Sequence, residues 1–328
     1  MKKLLLIVLL LVLVLPGCGP GVTEDITPAA LPDDVLELIA ADYPRVDGST
    51  SAYPLQMHIA CTVYGVPCKW WDSSPFSLFD VTTRGIFPEE DAWEDMPEEV
   101  EKIYNIHHNG TNGSYMNLIK GDTDVILVAR LPSDDEIKSA QLRGVTLNVQ
   151  PVALDAFVIL VNVENAVDDL SLDNIRDIYT GEVTLWSGVG GGDGEIQPYQ
   201  RDRNSGSQEL MEKLVMKGTP MIDAPDMIVE GMMGPFNALS SDTLGIGYSV
   251  YFYAEHMFTS ETVVLIAVDG VAPTSETIGK GTYPLTTEVY IVIREDTPEN
   301  STARLFRDWL LTEVGQEVVA GSGYVPLP

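Results

Sequence analysis

Positive charge is scarce in this chain, and so are the residues that usually hold metals. Lys and Arg together number 19 against 49 Asp and Glu, a formal net charge of −30 over 328 residues. Such a surface repels nucleic-acid phosphates, and no basic cluster interleaved with aromatics offsets it, so nucleic acid is excluded as a partner. Histidine occurs only 4 times and cysteine 3 times. Neither His107-His108 nor the pair Cys61 and Cys68 has the paired spacing of a zinc site, and no metal or cofactor is expected. A G-x-S-x-G elbow is also missing. His58, His107, His108 and His256 lack any triad context, which argues against a serine hydrolase and leaves no enzymatic reading. The glycine run SGVGGGDGE (187–195) lacks the lysine and hydroxyl of a phosphate loop and is expected to be a mobile surface loop. The N-terminal apolar run, Leu4 to Leu15, falls short of the roughly 20 residues a membrane-spanning helix needs.

What is present begins with an export signal. Lys2-Lys3, the apolar run and Pro16-Gly17-Cys18 have the layout of a signal peptide. Leu15-Pro16-Gly17-Cys18 further resembles the lipobox of bacterial lipoproteins. That resemblance implies cleavage after residue 17, lipid attachment at Cys18, and an extracytoplasmic protein anchored to the cell membrane by acyl chains. Residues 18–44, rich in Pro, Asp and Glu, would form the tether, with a short helix near 34–41. In an exported protein Cys61 and Cys68, at the two ends of CTVYGVPC, can form a disulfide or remain two buried thiols; the sequence leaves both open.

The chain is longer than one hydrophobic core usually grows, so two lobes are expected. Strand-like runs, VILVAR (125–130), AFVILVN (156–162) and VYIVIR (289–294), alternate with helical patterns, which predicts α/β lobes with mostly parallel sheets. Ser171 is placed to cap LDNIRDIYT with Gly181 as its stop, and Ser301 to cap TARLFRDWLLTEV. The segment from Lys69 to Glu101 carries Trp70, Trp71, Phe76, Phe79 and Trp93. It reads as an insertion whose aromatics pack over a lobe, with a partner surface as the alternative.

Three separated stretches share one chemistry: DGSTSAYPLQMHIA (47–60), NGTNGSYMNLI (109–119) and RDRNSGSQELMEKLVM (201–216). In each, small residues and hydroxyls lead into a helix, where free N–H groups and the helix dipole favour an anion. Any one of them alone reads as an ordinary cap. Together they predict a convergent oxyanion site. Arg201, four residues before Ser205, can offer a planar fork of donors, and Arg130 ends its strand where side chains project into a crevice. Arg203 is expected in a surface salt bridge. A closed pocket of aimed donors can bind an anion despite the global charge, because exposed charges beyond a Debye length of about 8 Å are screened.

On RVDGSTSAYPL, NGTNGSY, GDTDVILVARLPSDDEI, LSLDNIRDIYTGEVTLW, RDRNSGSQ, LGIGYSVY, YPLTTEVYIVIRED and GSGYVPLP the chain resembles the phosphate-binding proteins of bacterial ABC importers. These are type II periplasmic binding proteins. The resemblance implies two α/β lobes, each a mixed and mostly parallel sheet flanked by helices. Two hinge strands cross near 153–162 and 285–294, with lobe one at 45–153 plus 286–328 and lobe two at 154–285. It further implies a monomer that captures inorganic phosphate and delivers it to a membrane permease. The family's anion-binding positions fall here on Ser49, Thr50 and Ser51, on Thr111 with Asn112, Gly113 and Ser114, and on Arg201, Ser205, Gly206 and Ser207. Arg130 stands near the place where other members carry a proton-accepting aspartate. That departure leaves phosphate, sulfate, arsenate or another oxyanion as ligands, with Asp47 or a serine oxygen as substitute acceptors. A sensor or surface-interaction lipoprotein on the same scaffold is the alternative reading.

Overall fold

The computed structural model describes residues 31–72, 82–89 and 98–328. The signal segment, Cys18, and Phe76, Phe79 and Trp93 lie outside the described residues.

The described chain opens with α1 (Val35–Ala41), β1 (Val46–Gly48) and α2 (Tyr53–Tyr64), which stops at Gly65 in the left-handed conformation. An antiparallel pair of β2 (Cys68–Asp72) and β3 (Thr82–Pro88) follows, then α3 (Glu98–Tyr104), α4 (Gly110–Lys120), β4 (Val125–Val128) and α5 (Asp134–Leu142). A long strand, β5 (Leu147–Asn162), leads to β6 (Asp169–Leu170), α6 (Leu172–Thr180), β7 (Gln197–Pro198) and β8 (Gln200–Arg201). Next come α7 (Gly206–Leu210), which runs straight into a π-helical turn at Met211–Met216, then β9 (Ile228–Val229), α8 (Gly234–Ser241) and β10 (Gly245–Val250). The chain continues with β11 (Phe258–Thr259), β12 (Val263–Leu265), β13 (Ala267–Val268), α9 (Ser275–Gly279), β14 (Thr286–Arg294), α10 (Thr302–Leu310) and α11 (Glu313–Gly321).

The principal strand order is β1-β4-β14-β5-β10-β7, with β12 also on β5. β5 belongs to two sheets: residues 147–156 pair with β14, and residues 157–162 pair with β10 and β12. This one strand therefore carries the chain from the first lobe into the second, and β14 carries it back. Strands running out and back must lie antiparallel. Parallel pairing is accordingly confined in this sheet to β1 with β4 and β10 with β7. The sheets are mixed, as expected, but less parallel than the alternating pattern suggested.

Local sequence explains the ends of the helices. Ser171 Oγ accepts from Asn174 N at 3.1 Å to start α6, and Gly181 ends it at φ 80°. Ser301 Oγ accepts from Arg304 N at 3.3 Å at the start of α10, whose Phe306, Trp309 and Leu310 enter the core. Each such side chain removed from water contributes about 1.5–3 kcal/mol. Gly188 to Gly194 form an exposed or half-exposed loop, with Trp186 as its buried root.

The described strands of the insertion pack across the molecule. A Cys61–Cys68 disulfide staples β2 to α2, while β3 pairs on its other edge with β11, matching Thr83 to Phe258. The Trp70 ring lies 6.4 Å from that of Phe252 and 6.5 Å from that of His256. Trp70 is thus packing, the role its sequence context favoured. No helix among the described residues is long and apolar enough to cross a membrane.

Candidate functional site

The first wall is built where β1 meets its neighbours. A Cβ at Gly48 would lie 2.3 Å from Leu127 O, so only glycine lets β1 end this close to β4. The chain then turns through Ser49, Thr50 and Ser51 into α2. Ser49 N donates to Leu127 O at 3.0 Å, the hydroxyls of Ser49 and Ser51 share a hydrogen bond at 3.2 Å, and Ala52 N donates to Ser49 Oγ at 3.3 Å. Thr111 stands one residue into α4, buried beside this turn.

Asp47 fixes the two turns to each other. It accepts from Gly48 N at 2.7 Å, and from Asn109 N, Asn109 Nδ2, Ser114 Oγ and Asn117 Nδ2, each at 2.9 Å. Both oxygens are occupied. Asp47 therefore does not offer the free acceptor that the sequence left open for it, and Ser114 points to Asp47 and to Gly110 O instead of the cavity.

The second wall comes from β8 and α7. Arg201 N donates to Tyr248 Oη at 3.0 Å and to Gln208 Oε1 at 3.2 Å, while Tyr248 Oη itself bonds Gln208 Oε1. The Arg201 guanidinium gives Nε to Val229 O at 3.2 Å and lies 3.7 Å from Met232 Sδ through Nη1. Its ion-pair partner is Asp202, at 4.0 Å, although the Arg201 side chain is 5% exposed. Burial pulls its pKa below the ordinary range, and the field of Asp202 only partly offsets this. A buried cation without a close counter-charge is costly. Next to it, Ser205 Oγ is buried without a hydrogen-bond partner.

The walls meet around a cavity of about 400 Å³. Ser49, Thr50, Ser51, Thr111, Asn112, Gly113, Arg201, Ser205, Gly206 and Ser207 all line it. The lobes touch here: a Cβ on Gly206 would sit 2.8 Å from Thr111 Oγ1. Any larger residue at 206 would press on the Thr111 hydroxyl.

Arg130 behaves differently from Arg201. Its Nη1 and Nη2 grip Glu136 at 2.8 Å each, and Nη1 also donates to Leu131 O at 2.9 Å. Burial opposes its charge, but the bonds to Glu136 prevail and raise its pKa. Glu136 also accepts from Ser133 N at 2.8 Å and from Asn112 Nδ2 at 3.0 Å, so the Asn112 side-chain amide is engaged with Glu136. Arg130 lines the larger neighbouring cleft of about 850 Å³ together with exposed Arg203, which has no ion pair among the described residues. Only Arg130 Nε is left, buried and unpartnered, 4.0 Å from where a Gly206 Cβ would stand.

Sequence reasoning missed two features. Gly231 and Met232, in the loop before α8, and Val250, ending β10, also line the cavity, and nothing in their local sequence marks them. The capture of Arg130 had a readable signal: Ser133 and Glu136 form a capping box directly after it.

A family model described as a PBP superfamily domain matches residues 88–314. The phosphate-binding protein PstS of Staphylococcus saprophyticus is 28% identical over 232 residues, covering 67% of this chain and 70% of that protein. A Clostridium perfringens crystal structure, titled as a phosphate ABC transporter substrate-binding protein with bound phosphate, superposes at TM-score 0.62 with 22% identity. It covers 86% of this chain and 98% of its own. An ABC-type phosphate transport receptor from Vibrio cholerae superposes at 0.59 with 22% identity, covering 86% and 99%. At that identity the structural likeness speaks for the fold, which is the two-lobed type II binding-protein architecture.

Proposed function

The chain belongs to the PBP superfamily, and from that membership we propose that it is an extracytoplasmic solute-binding protein that captures inorganic phosphate for an ABC importer. The observation that carries this reading is Arg201, a buried guanidinium whose ion-pair partner Asp202 stands off at 4.0 Å, opening onto a cavity lined by hydroxyls, helix-start amides and Asp202. A tetrahedral oxyanion supplies the missing counter-charge and takes up the idle Ser205 hydroxyl. Ser49, Thr50, Ser51, Thr111, Asn112 and Gly113 offer donors from one lobe; Arg201, Ser205, Gly206 and Ser207 offer them from the other. Arg130 contributes at most its Nε. Binding by both walls at once favours the closed arrangement, in the manner of hinge closure around a ligand. No bond is made or broken.

The same reading assigns residues 1–17 to a signal peptide, Cys18 to the lipid anchor, 18–44 to a tether, 45–153 with 286–328 to lobe one and 154–285 to lobe two. A permease would receive the ligand from the monomer. Calorimetric titration of the protein with phosphate, then with sulfate and arsenate as competitors, tests the proposal. One saturable site for phosphate is expected. No heat and no competition from any of the three oxyanions would refute it.

A further inference from the structure

The pocket leaves unexplained a second buried charge-bearing group, on the crossing strand itself. Asp155 is 1% exposed and lies where β5 passes from its pairing with β14 to its pairing with β10. Its Oδ1 accepts from Ala156 N at 2.8 Å and from Phe252 N at 3.0 Å, while Oδ2 is buried with no partner. Phe252 follows β10 in the second lobe. Its ring stacks on Tyr324, from the C-terminal segment, with centroids 3.7 Å apart and planes 4° from parallel. Tyr324 Oη in turn donates to Ser51 O at 3.0 Å, in the first hydroxyl turn of the cavity. One unbroken path therefore runs from the hinge carboxyl, through two stacked rings, to the anion pocket.

We propose that Asp155 is a positioning residue: it seats Phe252 and Tyr324, and through them the Ser51 turn, so that its charge state governs anion affinity. The inference rests on the phosphate reading for its ligand.

The groups around Asp155 give an ionised carboxylate little support. On its own strand there is only the Ala156 N–H, from the turn after β10 only the Phe252 N–H, and from β14 its register partner is Thr287. Tyr324, whose own hydroxyl is pushed up by burial and by Asp155, is the titratable neighbour from the C-terminal segment. The His256 ring lies 5.1 Å from the Phe252 ring, its pKa pulled down by burial and its Nε2 unpartnered. Burial raises Asp155 to about 7, against which its two backbone bonds work. In the closed arrangement the protonated form is favoured. Opening the lobes exposes the hinge to water and returns the group toward the ordinary carboxylate range. Closure consequently takes up a proton, and its contribution to affinity is full at low pH and lost as pH rises toward 7.

The test compares the wild type with Asp155→Asn, which keeps a carbonyl for Phe252 N but cannot ionise. Phosphate affinity of both is measured from pH 5 to pH 9, and their ratio cancels the titration of phosphate itself. The wild type is expected to fall behind Asp155→Asn as pH rises, each unit between the open-form and closed-form pKa adding about tenfold, so that well above pH 7 it is about tenfold or more weaker, relative to the variant, than at pH 5. Tyr324→Phe, which keeps the stacking and removes the bond to Ser51 O, is expected to weaken phosphate binding and to flatten the pH dependence, because it cuts the link from Asp155 to the Ser51 turn; a pH dependence as steep as the wild type's overturns that route. A ratio that stays constant across the range overturns the proposal, as does a ratio that moves the other way. Amide-exchange protection at residues 49–53 without ligand, taken relative to the intrinsic rate at each pH, provides a second arm, expected to fall with rising pH in the wild type and not in Asp155→Asn. If phosphate binds to neither protein, the functional reading fails and this arm alone decides the role of Asp155: a pH-insensitive difference overturns it.

Discussion

Two buried arginines flank the cavity, Arg201 in its lining and Arg130 in the neighbouring cleft, and the pair differ in what answers their charge. On the lobe-one side Arg130 is held by Glu136 through two bonds of 2.8 Å, and Glu136 also receives Ser133 N and Asn112 Nδ2. Asp47, behind the same wall, is likewise filled by donors. This wall is electrostatically complete and works as a frame. On the lobe-two side Arg201 has its ion-pair partner 4.0 Å away and half-exposed, beside an unpartnered Ser205 hydroxyl. That wall is incomplete until an anion arrives. Burial alone does not mark a ligand-binding arginine; burial without compensation does.

The largest expected effect breaks the frame. Glu136→Ala leaves Arg130 buried and uncompensated and should cost about 3–5 kcal/mol of folding stability, read by denaturant unfolding. Replacing both residues together, Glu136→Met with Arg130→Met, should restore most of that loss, because neither charge then remains unanswered. A double variant no more stable than Glu136→Ala would show that this pair is not the frame.

Next, Arg201→Ala should weaken phosphate binding about 100-fold, the equivalent of about 3 kcal/mol for charge-assisted bonds. Its folding stability should hold or rise, since a poorly compensated buried charge has been removed. Calorimetry with parallel thermal unfolding separates the two quantities. A fall in stability with affinity intact would reverse the roles of the two arginines.

The smallest effects sharpen the contrast between the walls. Thr111→Val and Ser205→Ala each remove one hydroxyl and should cost about 1 kcal/mol of affinity, roughly fivefold in Kd. Since each donor reaches the ligand from a different lobe, the double variant also tests closure. Losses on the two sides should multiply if both walls hold the anion at once, whereas a loss confined to Ser205→Ala would leave lobe one out of the site.

Much of this was readable along the chain. Ser171, Gly181 and Ser301 mark helix ends that the structure keeps. The three hydroxyl-rich turns at 49–51, 111–114 and 205–207 were legible because helix-start chemistry is local, and the structure brings them to one cavity, Ser114 excepted. The mostly parallel sheet was over-read: a buried strand has the same composition whichever way its neighbour runs, and β5 and β14 run opposite ways. Trp70 and Trp71 gave no hint that β3 would pair with β11 on the far side of the hinge.

Sequence by itself settled which turns can present amides and hydroxyls, because caps, glycines and short motifs act within a few residues. Only tertiary structure decided the fates of Asp47, Arg201 and Asp155. Whether a buried charge is answered depends on how groups are placed around it in space: Asn109, Ser114 and Asn117 fill Asp47, Asp202 stands off 4.0 Å from Arg201 although next to it in the chain, and Asp155 keeps one oxygen without a partner.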